Sequence, residues 1–450
     1  MLFVLIFNRI NAQYLDFYTP IIGLGKTAIY SIDTVHDGGF IAGGWGYFAN
    51  GGNYLMLKTD SNGNEIWRHS ANYFNSSDSS NLIRSIHETR NHDFILCGEL
   101  RTVNPNVITN ILMARVDSLG NLIWLKTITQ GDLARGANIL ELDNGDILVT
   151  GTYRDSSVGV FVGKYNYLGD SIWTKRISYP NRKAEAHNLI NYNNKLLIAV
   201  LVSDLSVTKS WPGLIEMDTT GIVLNSQEFV DTANLIPNSI YRCSDSKINL
   251  ACTRVLTTGG AITEIYKLDS SLNKLDSSSV QSLNGPTFVN DSVFVGSQEG
   301  ITIYSYNFYG DTLWTYFINE YDGSLFVFNP INNSKILACG RISDGSYSLG
   351  LILKLDNFLP LHISENTQVM YDNIISPNPS NEFIRIVIPQ KYHIDSTWNV
   401  FIYNSTGNLT LTDTIIENEK TIVINRLKPG IYFYCVENKK YEFVGKLIIN

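Results

Sequence analysis

Short apolar runs, broken by clusters of Asp, Asn, Gly and Ser, recur from residue 14 to residue 356. Each run is short and rich in β-branched and aromatic residues, which predicts strands joined by tight turns. One unit repeats. A turn of Asp, Asn and Gly leads into an apolar strand ending in small residues. A variable loop follows, then a strand ending in Leu/Val-Asp, a Gly-containing turn, and often a strand with Trp. The clearest copy reads Asp37-Gly38-Gly39-Phe40-Ile41-Ala42-Gly43-Gly44, then Tyr54 through Asp60, Ser61-Asn62-Gly63-Asn64 and Glu65-Ile66-Trp67.

The turn residues of the seven copies are Asp60, Asp117, Asn166, Asp218, Asp269, Asn307 and Asp356. Their spacing, near 50 residues apart from the short step between Asp269 and Asn307, matches one four-stranded propeller blade. A single such sheet cannot cover its apolar faces, and stacking in a ring covers them. The seventh copy has no Trp strand after Asp356. The alternating segment Gln13-Tyr14-Leu15-Asp16-Phe17-Tyr18 is therefore expected to complete the last blade. The reading is an all-β chain whose residues 13–356 form a β-propeller, seven-bladed and closed by an N-terminal strand. The fourth to sixth copies are degenerate, and six or eight blades also fit.

The repeat stops after Asp356, and residues 357–373 read as a linker. Strand-like runs then crowd residues 374–450, which fits a small β-sandwich. At the other end, residues 1–12 read as a signal peptide. Met1 through Phe7 are apolar, and polar and small residues up to Ala12 follow. The basic start of such a peptide is missing, so the segment reads as truncated at its beginning. No stretch is long and apolar enough for a transmembrane helix.

Composition narrows the partners. With 44% hydrophobic and 17% charged residues the chain can fill a sizeable core. Its net charge of −8 and the absence of Lys/Arg runs argue against nucleic acid as a partner. Five cysteines match no zinc spacing, and Cys97, Cys252 and Cys339 sit in apolar strands, as buried thiols do.

The last segment resembles the type A sorting domain of the type IX secretion system of Bacteroidetes. The matching pieces are Pro377-Asn378-Pro379, Val400 through Gly407, Ile424 through Phe433 with Pro429-Gly430, and a basic and apolar finish that includes Lys446. Read as structure, Gly407 suits a hairpin turn and Pro429-Gly430 a type II turn. The resemblance implies delivery: a partner translocon with its C-terminal-signal processing machinery, and a secreted or cell-surface product. The upstream repeats loosely resemble Trp-containing propeller-like repeats carried by such exported proteins, and one fold hosts many functions.

No catalytic residue, cofactor or metal site is read from the motifs. Asp60-Ser61-Asn62-Gly63-Asn64 begins like a Ca²⁺ loop, but the twelfth position is Ala71 and the other copies lose the middle oxygen ligand. A turn is therefore expected there. His87 and His92 lack the spacing of a metalloprotease helix and read as exposed loop residues. Trp67, Trp124, Trp173 and Trp314 share one repeat position, which points to packing between blades. Trp45 follows Gly43-Gly44 on an expected loop and is the candidate ligand contact. The functional expectation is a non-catalytic binding or scaffold module for a glycan or protein. A glycan-cleaving propeller hydrolase or lyase, and a purely structural envelope component, stand as alternatives.

Overall fold

The computed structural model describes residues 14–21, 26–48, 51–70, 79–102, 108–231, 233–257, 259–298, 301–318, 322–332, 335–343, 348–356, 368–370, 374–392, 397–404, 409–438 and 441–450. The expected signal peptide, most of the expected linker and Gly407 lie outside these residues. The chain divides into two compact units, Leu15–Asp356 and one within Asn357–Asn450.

The larger unit is built from four-stranded antiparallel sheets. The first holds Thr27–Thr34, Phe40–Phe48, Gly51–Thr59 and Glu65–Ser70. The second holds Ser79–Glu88, Phe94–Thr102, Ile108–Val116 and Leu122–Ile128. The third holds Leu133–Glu141, Ile147–Arg154, Val158–Tyr165 and Ser171–Ile177, and one parallel bridge, Leu133 to Thr109, joins it to the second. The fourth runs from Arg182 to Glu228, the fifth from Asn234 to Gln281 and the sixth from Asn284 to Phe317. The seventh pairs Asp322–Asn332, Lys335–Ser343 and Ser348–Asp356, and its fourth strand is Tyr14–Ile21.

Successive sheets pack face to face. The second and third strands of each are apolar on both faces, as Phe94 to Cys97 and Ile147 to Val149 illustrate, all fully buried. Such runs belong to strands covered on both sides. The clusters cross sheet boundaries: Tyr54, Met56, Ile83, Ile86, Phe94 and Leu112 share one core. Ile29, Ile32 and Leu55 of the first sheet share another with Leu337, Cys339 and Ile352 of the seventh. The Thr27 hydroxyl accepts a hydrogen bond from the Gly350 amide at 2.5 Å, and the Asn329 amide donates to the Ile32 carbonyl at 3.1 Å.

The smaller unit has two sheets around one core. Gln368–Met370, Tyr441–Ile449, Gly430–Glu437, Trp398–Asn404 and Leu409–Ile415 form one, in that order. Ile375–Ser376, Phe383–Val387 and Glu419–Val423 form the other. Ile384, Ile386 and Ile422 from the second sheet bury against Trp398, Val400, Val436, Phe443 and Leu447 from the first. Strict alternation in Phe383–Val387 places Ile384 and Ile386 inward and Phe383, Arg385 and Val387 outward.

Candidate functional site

One irregularity recurs in the first strand of the sheets. Pairing with the second strand slips between Ile29 and Ser31, Ile83 and Ser85, Gly136 and Asn138, Ala186 and Asn188, Pro237 and Ser239, and Leu325 and Val327. Each slip is a β-bulge that leaves one residue unpaired and re-aims its side chain. The residues so released are Tyr30, Arg84, Ala137, His187, Asn238 and Phe326.

Several of them meet. Tyr30 stacks on Phe326 with centroids 5.7 Å apart, and the Arg84 guanidinium lies 5.4 Å over the Tyr30 ring. Arg341 lies 5.7 Å over Phe326. Arg84 donates to Glu99 at 3.0 Å, and Arg135 approaches the same carboxylate at 3.6 Å. Burial holds the His187 imidazole below its ordinary pKa, against the opposing pull of Glu185. Sequence reasoning missed this group. Its only trace is a one-residue break in alternation, as in Ile29-Tyr30-Ser31-Ile32, repeated in sheet after sheet.

A cavity of about 560 Å³ opens where the third and fourth sheets meet, lined by Arg154, Asp155, Tyr179, Arg182, Lys183 and Leu205 among others. Its neighbouring acids are held by arginines. Asp155 pairs with Arg176 at 2.7 Å. Glu228 pairs with Arg182 and accepts the Trp211 indole N–H at 2.9 Å. Burial, with Glu228 adding to it, pushes the Tyr179 hydroxyl up to about 12, so it stays a neutral donor at physiological pH. Among the described residues neither Arg154 nor Lys183 is paired with a carboxylate. The cavity therefore presents uncompensated positive charge although the chain is acidic.

The repeat turns are closed by hydrogen bonds to their own carboxylates. Asp60 accepts the amides of Asn62 at 2.9 Å and Asn64 at 2.8 Å, and the Asn64 side chain at 2.9 Å. Asp117 and Asp269 repeat the same three bonds with Leu119 and Asn121, and with Ser271 and Asn273. The carboxylates are thus occupied by N–H donors, as an Asx-type turn requires. One group of described residues does bring metal-ligating atoms together: His36, Glu88 and His92, within 4.8 Å of one another.

Trp45 lies in the strand Phe40–Phe48, paired with Ala28 and Tyr54, and is half-buried. The expected loop does not begin after Gly43-Gly44, because these glycines belong to the strand. A Cβ on Gly44 would stand 2.1 Å from the Ala28 carbonyl oxygen, so glycine there lets two strands close rather than starting a loop.

In the smaller unit, Asn378 reaches the last strand. Its side-chain amide donates to the Lys446 carbonyl at 2.6 Å, and its side-chain oxygen accepts the Ile448 amide at 2.9 Å. Ser380 continues the pairing, donating its amide to the Ile448 carbonyl at 2.9 Å. The peptide bonds before Pro377 and Pro379 are cis. The Pro-Asn-Pro motif and Lys446, far apart in sequence, are therefore one structural element. Pro429-Gly430 is not the expected type II turn. The turn lies upstream, where the Leu427 amide donates to the Ile424 carbonyl at 2.9 Å, and Gly430 opens a strand with a nearly extended φ of 158°.

Among solved structures, the chain is similar to Raptor from Chaetomium thermophilum, with 12% identity and a TM-score of 0.45 over 75% of this chain and 29% of that one. It is similar to an α-L-arabinanase from Penicillium chrysogenum in complex with arabinobiose, with 10% identity and a TM-score of 0.41 over 62% of this chain and 93% of that one. It is also similar to a puromycin hydrolase, with 8% identity and a TM-score of 0.49 over 93% of this chain and 60% of that one. These likenesses are too distant to bear on ligand or reaction. No curated protein matches the sequence. Among the described residues no helix is long and apolar enough to cross a membrane. Residues 374–450 match the family described as the secretion system C-terminal sorting domain, the Por secretion tail, and a tail of that family marks its chain for secretion.

Proposed function

We propose that this chain is an exported binding protein of a Bacteroidetes cell, carried by type IX secretion to the surface or the medium. In this reading the sheets of the larger unit are the seven blades of a propeller, and Tyr14–Ile21 closes the last of them. The contact of the first sheet with the seventh supports a ring. Residues 374–450 of the smaller unit engage the translocon and its processing machinery. Pro377, Asn378, Pro379, Gly407, Pro429, Gly430 and Lys446 are the proposed recognition residues.

The observation that carries the binding reading is the cavity between the third and fourth sheets, where among the described residues neither Arg154 nor Lys183 has a carboxylate partner. Cations in a recess select an anionic ligand, and an exported protein meets acidic glycans. The adjacent acids support binding over acid–base chemistry, because Asp155 and Glu228 are each committed to an arginine. Binding of the protein to a sulfated polysaccharide and to a polyuronide tests the proposal. Arg154→Glu with Lys183→Glu should weaken the interaction at least about tenfold, as losing charge-assisted bonds does. Equal binding by the double variant rejects the cavity as the site. Trp45→Ala in the same assay tests Trp45 as a ligand contact. Removing residues 374–450 should retain the protein inside the cell, and undiminished export of the truncated chain rejects the sorting role.

A further inference from the structure

The geometry points to a second site of different chemistry: a divalent transition-metal site formed by His36, Glu88 and His92. His36 stands in the turn that joins Thr27–Thr34 to Phe40–Phe48 in the first sheet. Glu88 ends the strand Ser79–Glu88, and His92 stands in the turn after it. The site therefore bridges two sheets.

Part of the arrangement belongs to the repeat. The His36 backbone amide donates to Glu88 Oε2 at 2.7 Å. The Arg90 amide donates to Glu141 in the same way at 2.9 Å, and the matching Ser244 amide donates to Asp291, a residue within the next turn, at 3.0 Å. This clamp between neighbouring turns needs no imidazole. Both imidazoles are particular to the first pair of sheets, and both turn Nδ1 toward the remaining oxygen, Glu88 Oε1, at 2.5 Å from His36 and 3.3 Å from His92. Their ring centroids are 3.5 Å apart.

His92 also occupies an expensive position. Its φ is +63°, in the left-handed region. The matching residues of the flanking turns are glycines, Gly38 at +83° and Gly145 at +82°. Glycine adopts that conformation at no steric cost, and a residue with a Cβ does not. Histidine stands where the flanking turns use glycine and the fifth sheet uses Ser246 at +70°, and here its ring is turned onto an anchored carboxylate that a second imidazole also faces.

Two imidazole nitrogens and one carboxylate oxygen make a borderline donor set suited to zinc, nickel or copper(II). Zinc takes such ligands at about 2.0–2.2 Å, which puts neighbouring donor atoms about 3.4 Å apart in a tetrahedron. His92 Nδ1 already stands near that spacing from Glu88 Oε1, and His36 Nδ1, which is nearer, must draw back by about 1 Å, within reach of an imidazole rotation. The carboxylate is anchored at 12% side-chain exposure, and the imidazoles are exposed at 46% and 51%. Their exposure leaves room for that rotation and for a water or an outside ligand on the metal. Metal bound only by the folded chain would tie the two turns together and raise stability by mass action.

Calorimetric titration of the untagged, chelator-treated full chain with zinc chloride at pH 7.5, with parallel thermal melts, tests the site. The expected result is saturable binding of one zinc per chain and a rise in Tm. His36→Gln and His92→Gln should each weaken binding at least about tenfold, as losing a group that holds a metal does. His92→Gly suits the backbone and so keeps the turn intact; it should lose zinc binding while the melt of the metal-free protein is unchanged or higher. His87→Gln alters a neighbouring imidazole that faces Asp33 at 2.7 Å, and should leave binding as it is. Absence of saturable binding by the unaltered chain, or undiminished binding by the His36→Gln/His92→Gln double variant, overturns the proposal.

Discussion

The indole N–H of Trp67 donates to the backbone carbonyl of Ser118 at 3.0 Å, joining the last strand of the first sheet to the turn of the second. Trp124 makes the same bond to Tyr167 at 3.1 Å, and Trp173 to Thr219 at 3.3 Å. In the fourth sheet Asn225 holds that repeat position and donates to Ser271 at 3.0 Å, one residue past the carbonyl the indoles use, and in the fifth Ser278, two residues past that position, donates to Phe308. The contact outlives the residue that defines the motif. Beneath each indole sits the turn glycine: a Cβ on Gly120 would come within 3.2 Å of Trp67, and on Gly221 within 3.3 Å of Trp173. Tryptophan and glycine are one fitted pair across a sheet boundary.

Trp67→Phe should therefore cost about 0.5–1.5 kcal/mol, the worth of one hydrogen bond, because the ring still packs. Asn225→Ala should cost a similar amount, although it alters a residue outside the Trp pattern. Denaturant midpoints of the two variants check this. An Asn225→Ala midpoint equal to that of the unaltered chain would show that the substituted bond contributes nothing.

The turns are legible in the sequence because their chemistry is local: an Asp or Asn side chain takes amides two and four residues ahead. The strands are legible because their apolar runs are covered on both faces. The bulged residues are not, since a slip of one position in a single strand looks like noise. The cavity and the His36–Glu88–His92 group are also out of reach. Their members lie on different turns, and only the pairing of sheets makes them neighbours. Trp45 is misplaced because Gly43-Gly44 reads as a break in the strand, whereas close strand approach needs glycine there.

Leu272 marks a place where the repeat departs from its own rule. It has a φ of +69° at the position that Gly63, Gly120, Gly169 and Gly221 hold in other turns. Its side chain is fully buried in the core with Leu268 and Tyr266. Relief of the backbone by glycine is worth about 1–2 kcal/mol. Loss of a buried leucine side chain costs about 2–5 kcal/mol. Packing wins, so Leu272→Gly should destabilise by roughly 2 kcal/mol. A more stable variant in chemical denaturation would reverse that ranking.

The turn carboxylates set a pH dependence. The Asn64 side-chain amide holds Asp60 below its ordinary pKa of 3.8, the Thr220 hydroxyl does the same for Asp218, and the Asn273 side chain for Asp269. A pKa lowered by folding contributes stability above the unfolded value, and that contribution is lost as pH falls through the folded value. The melting temperature should therefore fall with acidification below about pH 4, near the ordinary carboxylate value. Asn166 and Asn307 already serve in this turn, so Asp60→Asn, Asp218→Asn and Asp269→Asn preserve the Oδ1 acceptor. The triple variant should show a shallower acid limb in melts between neutral pH and acid, and an unchanged slope would assign the pH dependence to other groups.

Thiol reactivity should divide the cysteines by burial. Cys97, Cys252 and Cys339 are fully buried, and desolvation pushes their thiols far above the ordinary value. Burial, with Asp291 nearby, pushes Cys243 up to about 11. Alkylation requires the thiolate and access. At pH 8 in the native protein, iodoacetamide should label the half-buried Cys435 first and leave Cys97, Cys252 and Cys339 unmodified until denaturant is added. Peptide mass spectrometry reads the order directly, and early labelling of Cys97 would contradict its burial.

Asn378 makes the sorting tail testable at a single side chain. Its amide and its oxygen bond to opposite polar groups of one strand, the Lys446 carbonyl and the Ile448 amide, so the side chain acts as a short strand partner. Alanine removes both bonds. Aspartate keeps the acceptor for Ile448 and replaces the donor facing the Lys446 carbonyl with an oxygen. Asn378→Ala should loosen the final strand, exposing Tyr441–Ile449 to proteolysis, and reduce the exported fraction. Asn378→Asp should do more harm than alanine, because a carboxylate oxygen facing a carbonyl is repulsive as well as unpaired. Limited proteolysis and the ratio of extracellular to cellular protein separate the two effects. Loosening without loss of export would mean that the translocon reads the exposed motif rather than the folded tail.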